Sequence, residues 1–285
     1  MAGIDWTEIK TLDEKPDVRL VVADMDGTLL DGDSRIPQGF WPMLQRLQER
    51  GVQFVPASGR QFHTLENMFG EYSEHMSFIA ENGNVVSYDG DIVAVHGIGL
   101  DVTREVIDRV DAAVKSGKYD IGLVICGLST AYIQRTDQPF VDECAKYYAK
   151  LMEVEDLHDV LDIDTETILK LAVFDFGDAE SMAANLLADL RPQYSVVVSG
   201  AHWVDIMNPT TDKSQGVTAL QKAMGVGPEQ TAVFGDYLND SGMLGCAKWS
   251  FAMANAHPDV KAVANYIAPA NTDEGVITVV DELVK

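Results

Sequence analysis

The chain has 285 residues, 46% of them hydrophobic, enough to bury a large core in one large domain or two. Its 21 Lys and Arg against 45 Asp and Glu give a formal net charge of -24, with no cluster of basic residues. Nucleic acid and anionic membrane are thereby excluded as main partners, and any phosphate site must bring local positive charge from a metal ion, a lysine or helix N-termini.

The opening stretch from Met1 to Asp17 is polar and acidic, unlike a signal peptide, and no apolar run approaches membrane-spanning length. The expectation is a cytoplasmic protein, a monomer or small homo-oligomer. Residues 19–23 form a short apolar, β-branched run, and 51–57 and 77–80 have the same character, so all three are predicted strands. Between the first two, Phe40, Leu44 and Leu47 recur at helical spacing before a stop at Gly51, and 61–69 reads as the next helix. This βα alternation implies a parallel sheet covered by helices on both faces.

Beyond Asn84 the pattern changes. Strands with polar alternation are predicted at 85–88, 91–95 and 130–134, helices at 103–115 and 178–190, and further strands at 168–174 and 195–198. The βα rhythm then resumes, with helices at 214–224, 259–264 and 275–284 and strands at 231–234, 250–253 and 266–268. The fold class expected is α/β, a parallel sheet with helices on both faces formed by 1–84 and 210–285, with an inserted α+β domain at 85–209, a normal domain size of about 120 residues. The widely spaced Cys126, Cys144 and Cys246 contain no C-x-x-C pair and imply neither a disulfide framework nor a zinc site. They, His202 and Trp203 read as packing residues.

Three polar clusters sit where predicted strands end: Asp24 with Asp26, Ser58-Gly59-Arg60, and Gly235-Asp236 followed by Asn239-Asp240. Ligands of open α/β sheets bind outside the carboxyl ends of the strands, so the clusters point to a single site. Asp24 and Asp236 suit Mg²⁺, with the Asp26 backbone carbonyl as a further ligand. An ionised Asp24 can attack phosphorus and form an aspartyl-phosphate, while Asp26 is placed to protonate the leaving alcohol and later to deprotonate water. Ser58-Gly59 opens a predicted helix, where it either holds a phosphate oxygen or simply caps the helix. Lys213, at the start of another helix, either reaches over the site as a point charge or is solvated. Residues 24–35 lack the glycine and terminal glutamate of a calcium loop, and there is neither a Walker lysine loop nor a G-x-G-x-x-G after the first strand.

Asp24-Met25-Asp26-Gly27-Thr28-Leu29, Ala57-Ser58-Gly59-Arg60, Lys213 and Gly235-Asp236-x-x-Asn239-Asp240, in that order, resemble the haloacid dehalogenase superfamily of phosphatases. Glu81-Asn82-Gly83, Met253-Ala254-Asn255-Ala256 and Asn271-x-x-Glu274-Gly275-Val276 resemble its Cof-type branch, subfamily IIB. The resemblance implies a Rossmann-like three-layer α/β/α core with an α/β cap inserted after the third core strand, Asp24 as nucleophile and Asp26 as general acid/base. It implies Mg²⁺ on Asp24, the Asp26 carbonyl and Asp236, and phosphate held by the Met25 N–H, Ser58, Gly59, Lys213 and Asn239. Thr28, Arg60 and Asp240 are expected in support, Asp240 serving either the metal or the lysine. Tyr237 stands where the family commonly has a small or amide residue, and either narrows the site or packs under the cap.

The expected function is Mg²⁺-dependent hydrolysis of small phosphorylated metabolites such as sugar phosphates, with the cap closing over the leaving group. A sugar phosphomutase using the same aspartyl-phosphate, or a phosphometabolite-binding module without turnover, are the alternatives.

Overall fold

The strand Leu20–Asp24 is buried along its whole length, which requires partners on both edges and cover on both faces. Its edges pair in parallel with Gln53–Ala57, Leu20 opposite Gln53 and Asp24 opposite Ala57, and with Thr231–Gly235, Leu20 opposite Thr231. The computed structural model describes residues 3–13, 15–199 and 201–285, and within them the chain forms two compact units. One consists of Met1–Gly59, Phe69–Ala94 and Asp212–Lys285, the other of Arg60–Met68 and Val95–Thr211.

The first unit is built on a nine-stranded sheet in the order Ile4–Asp5, Tyr266–Ala268, Trp249–Met253, Thr231–Gly235, Leu20–Asp24, Gln53–Ala57, Phe78–Ala80, Val85–Tyr88, Asp91–Val95. The pairs from Ile4–Asp5 as far as Phe78–Ala80 are parallel, and Val85–Tyr88 then runs antiparallel to Phe78–Ala80. This α/β, Rossmann-like architecture is the one expected from the sequence. The unit continues to Ala94, whereas the sequence places a boundary after Asn84. Two strands that the sequence groups with the inserted domain, Val85–Tyr88, which is largely buried, and Asp91–Val95, which is largely exposed, lie at the margin of this sheet.

The helix Phe40–Glu49 buries Phe40, Met43, Leu44 and Leu47. The Phe40 ring meets Phe54 edge-on at 5.1 Å and Phe69 at 5.7 Å, so one aromatic cluster joins helix to sheet. Truncating such a residue to alanine costs about 3–5 kcal/mol. The helix Lys213–Met224 is bounded at both ends by capping residues. Asp212 accepts hydrogen bonds from the Ser214 and Gln215 amides, and Gly225 closes the helix at φ +67°.

The second unit carries a six-stranded sheet, Ser195–Val198, Trp203–Met207, Ile168–Asp175, Ile121–Gly127, Ala131–Ile133, Leu151–Glu153, antiparallel except at its last pair. One face packs Leu123, Ile125, Leu171 and Val173 against Val106, Ile107 and Val110 of the helix Leu100–Lys115. The other packs Val124, Cys126, Ala172, Phe174 and Trp203 with Phe140 and Cys144. His202 keeps its Nδ1 2.8 Å from the Asp175 carbonyl. The helix expected over 178–190 breaks into an α turn Ala179–Met182, a wider turn Ala183–Leu187 and a tight turn Ala188–Leu190. Arg109 accounts for part of the break: its Nη1 takes the Leu186 carbonyl at 3.0 Å and the Asp189 carboxylate at 2.6 Å. Among the described residues, no helix is long and apolar enough to cross a membrane.

Candidate active site

Four neighbouring strands of the first unit end at the same margin, and each hands over to a polar residue. Asp24 is the last residue of its strand, Asp236 and Ser58 follow theirs, and Glu81-Asn82 follow Phe78–Ala80.

After Asp24 the chain makes a tight turn over Met25 to Thr28. Asp26 has φ -78° and ψ 117°, Gly27 has φ +81° and ψ -1°, and the Leu30 amide returns to the Met25 carbonyl at 2.9 Å. This is the type II conformation, which favours glycine at its third position. A Cβ at Gly27 would also stand 2.4 Å from Asp236 Oδ2, so glycine is what allows the Asp236 carboxylate to approach the turn. Thr28 Oγ1 donates to Asp236 Oδ1 at 2.8 Å. The turn is held from outside by two asparagines: Asn255 Nδ2 donates to the Gly27 carbonyl at 2.7 Å and Asn271 Nδ2 to the Leu30 carbonyl at 2.9 Å. The Asn271 amide donates to Asn255 Oδ1 at 3.2 Å, which links the two.

Lys213, only 1% exposed, is the first residue of its helix and donates to Asp24 Oδ1 at 2.5 Å and to Asp240 Oδ1 at 2.8 Å. Burial works against its ammonium, but the attraction of Asp24 and Asp240 outweighs it and raises its pKa. It is therefore a fixed positive charge, not a solvated lysine. The other oxygen of Asp240 accepts the amides of Asp236 at 2.9 Å and Tyr237 at 3.1 Å. Asp240 thus braces the lysine and the loop, one of the two supporting roles expected of it.

Asp24, Asp236 and Asp240 each bring a carboxylate oxygen within 4.8 Å of the others, around a single ammonium. Burial pushes the Asp24 carboxyl up to about 8, with Lys213 pulling it down and Asp240 and Asp236 adding to the rise. Asp236 is raised as well, by burial first, with the Thr28 hydrogen bond opposing. A cluster of hard oxygens with excess negative charge fits a divalent cation such as Mg²⁺. Asp24 and Asp236 are carboxylate donors that could hold it, and Asp240, bonded also to Lys213 and the loop amides, lies in the same cluster.

On the other side of Asp24, the expected helix opening at Ser58 is displaced, since the helix begins at Phe62. The Ser58 amide donates to the Ile79 carbonyl at 2.8 Å, so the residue does not offer a helix N-terminal amide. Its carbonyl accepts the Asn82 amide at 2.9 Å, and Asn239 Nδ2 donates to Asn82 Oδ1 at 3.4 Å. Met25 is fully buried, whereas Asp26 is exposed. Arg60 is grouped with the second unit, where its Nη1 lies 3.7 Å from the Met68 sulfur. The Tyr237 ring, 59% exposed, is not buried under other side chains and turns its edge to His257. Asn82, Asn255 and Asn271 appear in the sequence only within family-like motifs, and nothing in their spacing announces these contacts.

An open, largely parallel sheet with buried carboxylates and a buried lysine at the carboxyl ends of its central strands defines a Rossmann-like enzyme. The family model described as haloacid dehalogenase-like hydrolase matches residues 21–280, and the chain belongs to that family. It is 30% identical over 270 residues to the 5-amino-6-(5-phospho-D-ribitylamino)uracil phosphatase of Escherichia coli K12, covering 94% of this chain and 97% of the relative. It is 26% identical over 247 residues to the HMP-PP phosphatase of Escherichia coli O8, covering 86% and 87%. Among solved structures, a haloacid dehalogenase-like hydrolase from Bacteroides thetaiotaomicron is similar with a TM-score of 0.80, 22% identity and coverage of 93% and 99%. A Thermotoga maritima protein is similar with a TM-score of 0.82, 22% identity and coverage of 93% and 97%.

Proposed function

We propose that this protein is a Mg²⁺-dependent phosphomonoester hydrolase of small phosphorylated metabolites, working through an aspartyl-phosphate on Asp24. The observation that carries this reading is the buried Lys213 between Asp24 and Asp240, with Asp236 alongside. A purely structural cluster would gain little from burying carboxylates in excess over cations. A nucleophilic site that takes up a cation and an anionic substrate needs that arrangement.

Asp24, Asp236 and the Asp26 carbonyl would hold Mg²⁺, which when bound neutralises the cluster and screens the phosphoryl oxygens. One Asp24 oxygen attacks phosphorus while the bond to the leaving oxygen breaks, and Asp26 gives that oxygen its proton. Asp26, now ionised, takes a proton from water, whose oxygen attacks the phosphorus and releases Asp24 as carboxylate. Lys213 orients Asp24 and offsets charge on the phosphoryl group. Ser58, Gly59, Asn239 and the Met25 amide hold the remaining phosphoryl oxygens, with Thr28 and Asp240 bracing Asp236 and Lys213.

The second unit is assigned the role of a cap that selects the leaving group. Sugar and polyol phosphates are the favoured substrate class, in keeping with the phosphoribityl compound named for the Escherichia coli K12 relative. Return of the phosphoryl group to a second hydroxyl, as in a mutase, would use the same residues. A screen of phosphorylated metabolites with and without Mg²⁺, scored by free phosphate, separates the two: the hydrolase releases phosphate from the best substrate, and isomerised ester without free phosphate would contradict the proposal.

A further inference from the structure

Asn82 sits in a backbone conformation that asparagine adopts only at a cost. Glu81 has φ +50°, Asn82 φ +56° with ψ 31°, and Gly83 φ +97°, so successive residues lie in the left-handed region. Each non-glycine residue held there costs on the order of 1 kcal/mol or more, and such residues cluster at ligand-binding sites. The segment is locked where it stands. The Asn82 amide donates to the Ser58 carbonyl at 2.9 Å, and a Cβ on Gly83 would come within 2.3 Å of the Asp212 carbonyl oxygen, next to Lys213.

The side chain is equally constrained. Asn82 Oδ1 accepts from Asn239 Nδ2 at 3.4 Å, and its carboxamide lies so close to Gly59 that a Cβ there would be 3.1 Å from Nδ2. The carboxamide therefore spans the gap between Gly59 and Asn239, two residues assigned to the phosphoryl group. With Oδ1 turned to the Asn239 donor, the end with two N–H donors is the Nδ2 end. A neutral donor suits this place, because it binds an anion without adding charge beside Lys213 and the carboxylates.

Resting on the proposed phosphatase reading, we infer that Asn82 is a further substrate-contacting residue, its Nδ2 donating to the phosphoryl group alongside Ser58, Gly59 and Asn239. The alternative is that asparagine is present only because it tolerates the left-handed backbone. Two substitutions separate these. Asn82→Gly keeps the backbone conformation and removes the carboxamide; Asn82→Asp keeps shape and acceptor but replaces the donor with an anionic oxygen.

The measurement is the affinity of the full-length protein for inorganic phosphate in the presence of Mg²⁺, by calorimetry and by competitive inhibition of p-nitrophenyl phosphate hydrolysis, with melting temperature recorded alongside. Loss of a hydrogen bond to a charged group predicts phosphate binding weakened roughly 10- to 100-fold in Asn82→Gly. Asn82→Asp should be weaker still, through repulsion, and KM should rise more than kcat falls in both. A structural role alone would lower melting temperature without this order of affinities. Variants that bind phosphate as tightly as the parent, or an Asn82→Asp that binds better than Asn82→Gly, overturn the inference while the phosphatase reading stands. A parent protein that neither binds nor releases phosphate overturns both.

Discussion

Lys213 Nζ stands 2.5 Å from Asp24 Oδ1, although 189 residues separate them in sequence. Burial isolates the pair from water, and Asp240 holds the ammonium from its other side at 2.8 Å. Removing the ammonium would leave two carboxylates buried without it. Lys213→Ala is predicted to destabilise the protein by about 3–5 kcal/mol. It should also lower kcat by roughly 10²–10³-fold. Urea unfolding and phosphate-release assays on the purified variant check both, and near-normal activity would show that the lysine has no part in turnover.

Gly27 joins the nucleophile turn to Asp236. Gly27→Ala would place a methyl group 2.4 Å from Asp236 Oδ2 at a φ of +81°. The expected cost is about 1–3 kcal/mol of stability, with Mg²⁺ affinity reduced because Asp236 must withdraw. Titration of activity against Mg²⁺ measures the second effect: the half-saturating concentration should rise, and an unchanged value would show that Asp236 is not displaced.

Asn255 holds the Gly27 carbonyl at 2.7 Å and is itself held by the Asn271 amide at 3.2 Å. Because Asn255 is exposed, its loss should cost little stability, on the order of 1 kcal/mol. Its effect falls on the turn carrying Asp26. Asn255→Ala is predicted to reduce kcat on the order of tenfold with a smaller change in KM. Asn255→Asp, which retains the acceptor for Asn271 but not the donor to Gly27, should not restore it. Steady-state kinetics of the two variants decide.

In the second unit, His158 lies between Asp156, 2.8 Å from Nδ1, and Asp108, 3.2 Å from Nε2. The Asp156 hydrogen bond raises its pKa most, burial opposes the rise, and the Asp108 hydrogen bond adds to it. The folded pKa lies above the unfolded value near 6.5, so the stabilisation is fully present below that value and is lost as pH rises through the raised folded pKa. His158→Asn should melt earlier than the parent at pH 6, and the difference should shrink at pH 9. A gap that widens with pH would refute the assignment.

Strands that end in carboxylates were legible because parallel strands are written as apolar runs and their carboxyl ends gather ligands. Asp24, Asp236 and Asp240 are brought together in the structure as that rule requires, with Lys213 between two of them. Ile121–Gly127 and Trp203–Met207 went unread, since both are buried throughout and show no alternation to separate strand from helix. Nothing in the sequence of 85–95 ties its two strands to the first sheet rather than to the insertion, and only their pairing in the structure places them at its margin. Asn82, Asn255 and Asn271 each act through two hydrogen bonds made from short turns or loops, where asparagines carry no periodicity. At Ser58 the residue was legible while its amide was not, because only the folded structure shows that Ile79 takes it.

The central claim is the covalent role of Asp24. The protein, mixed with Mg²⁺ and its best substrate from the phosphate screen, can be quenched in acid within a single turnover and digested for mass spectrometry. The account predicts a phosphoryl group on the peptide carrying Asp24, absent from an inactive Asp24→Asn variant. Phosphate release without such a label, together with an Asp24→Asn protein that still turns over, would contradict it.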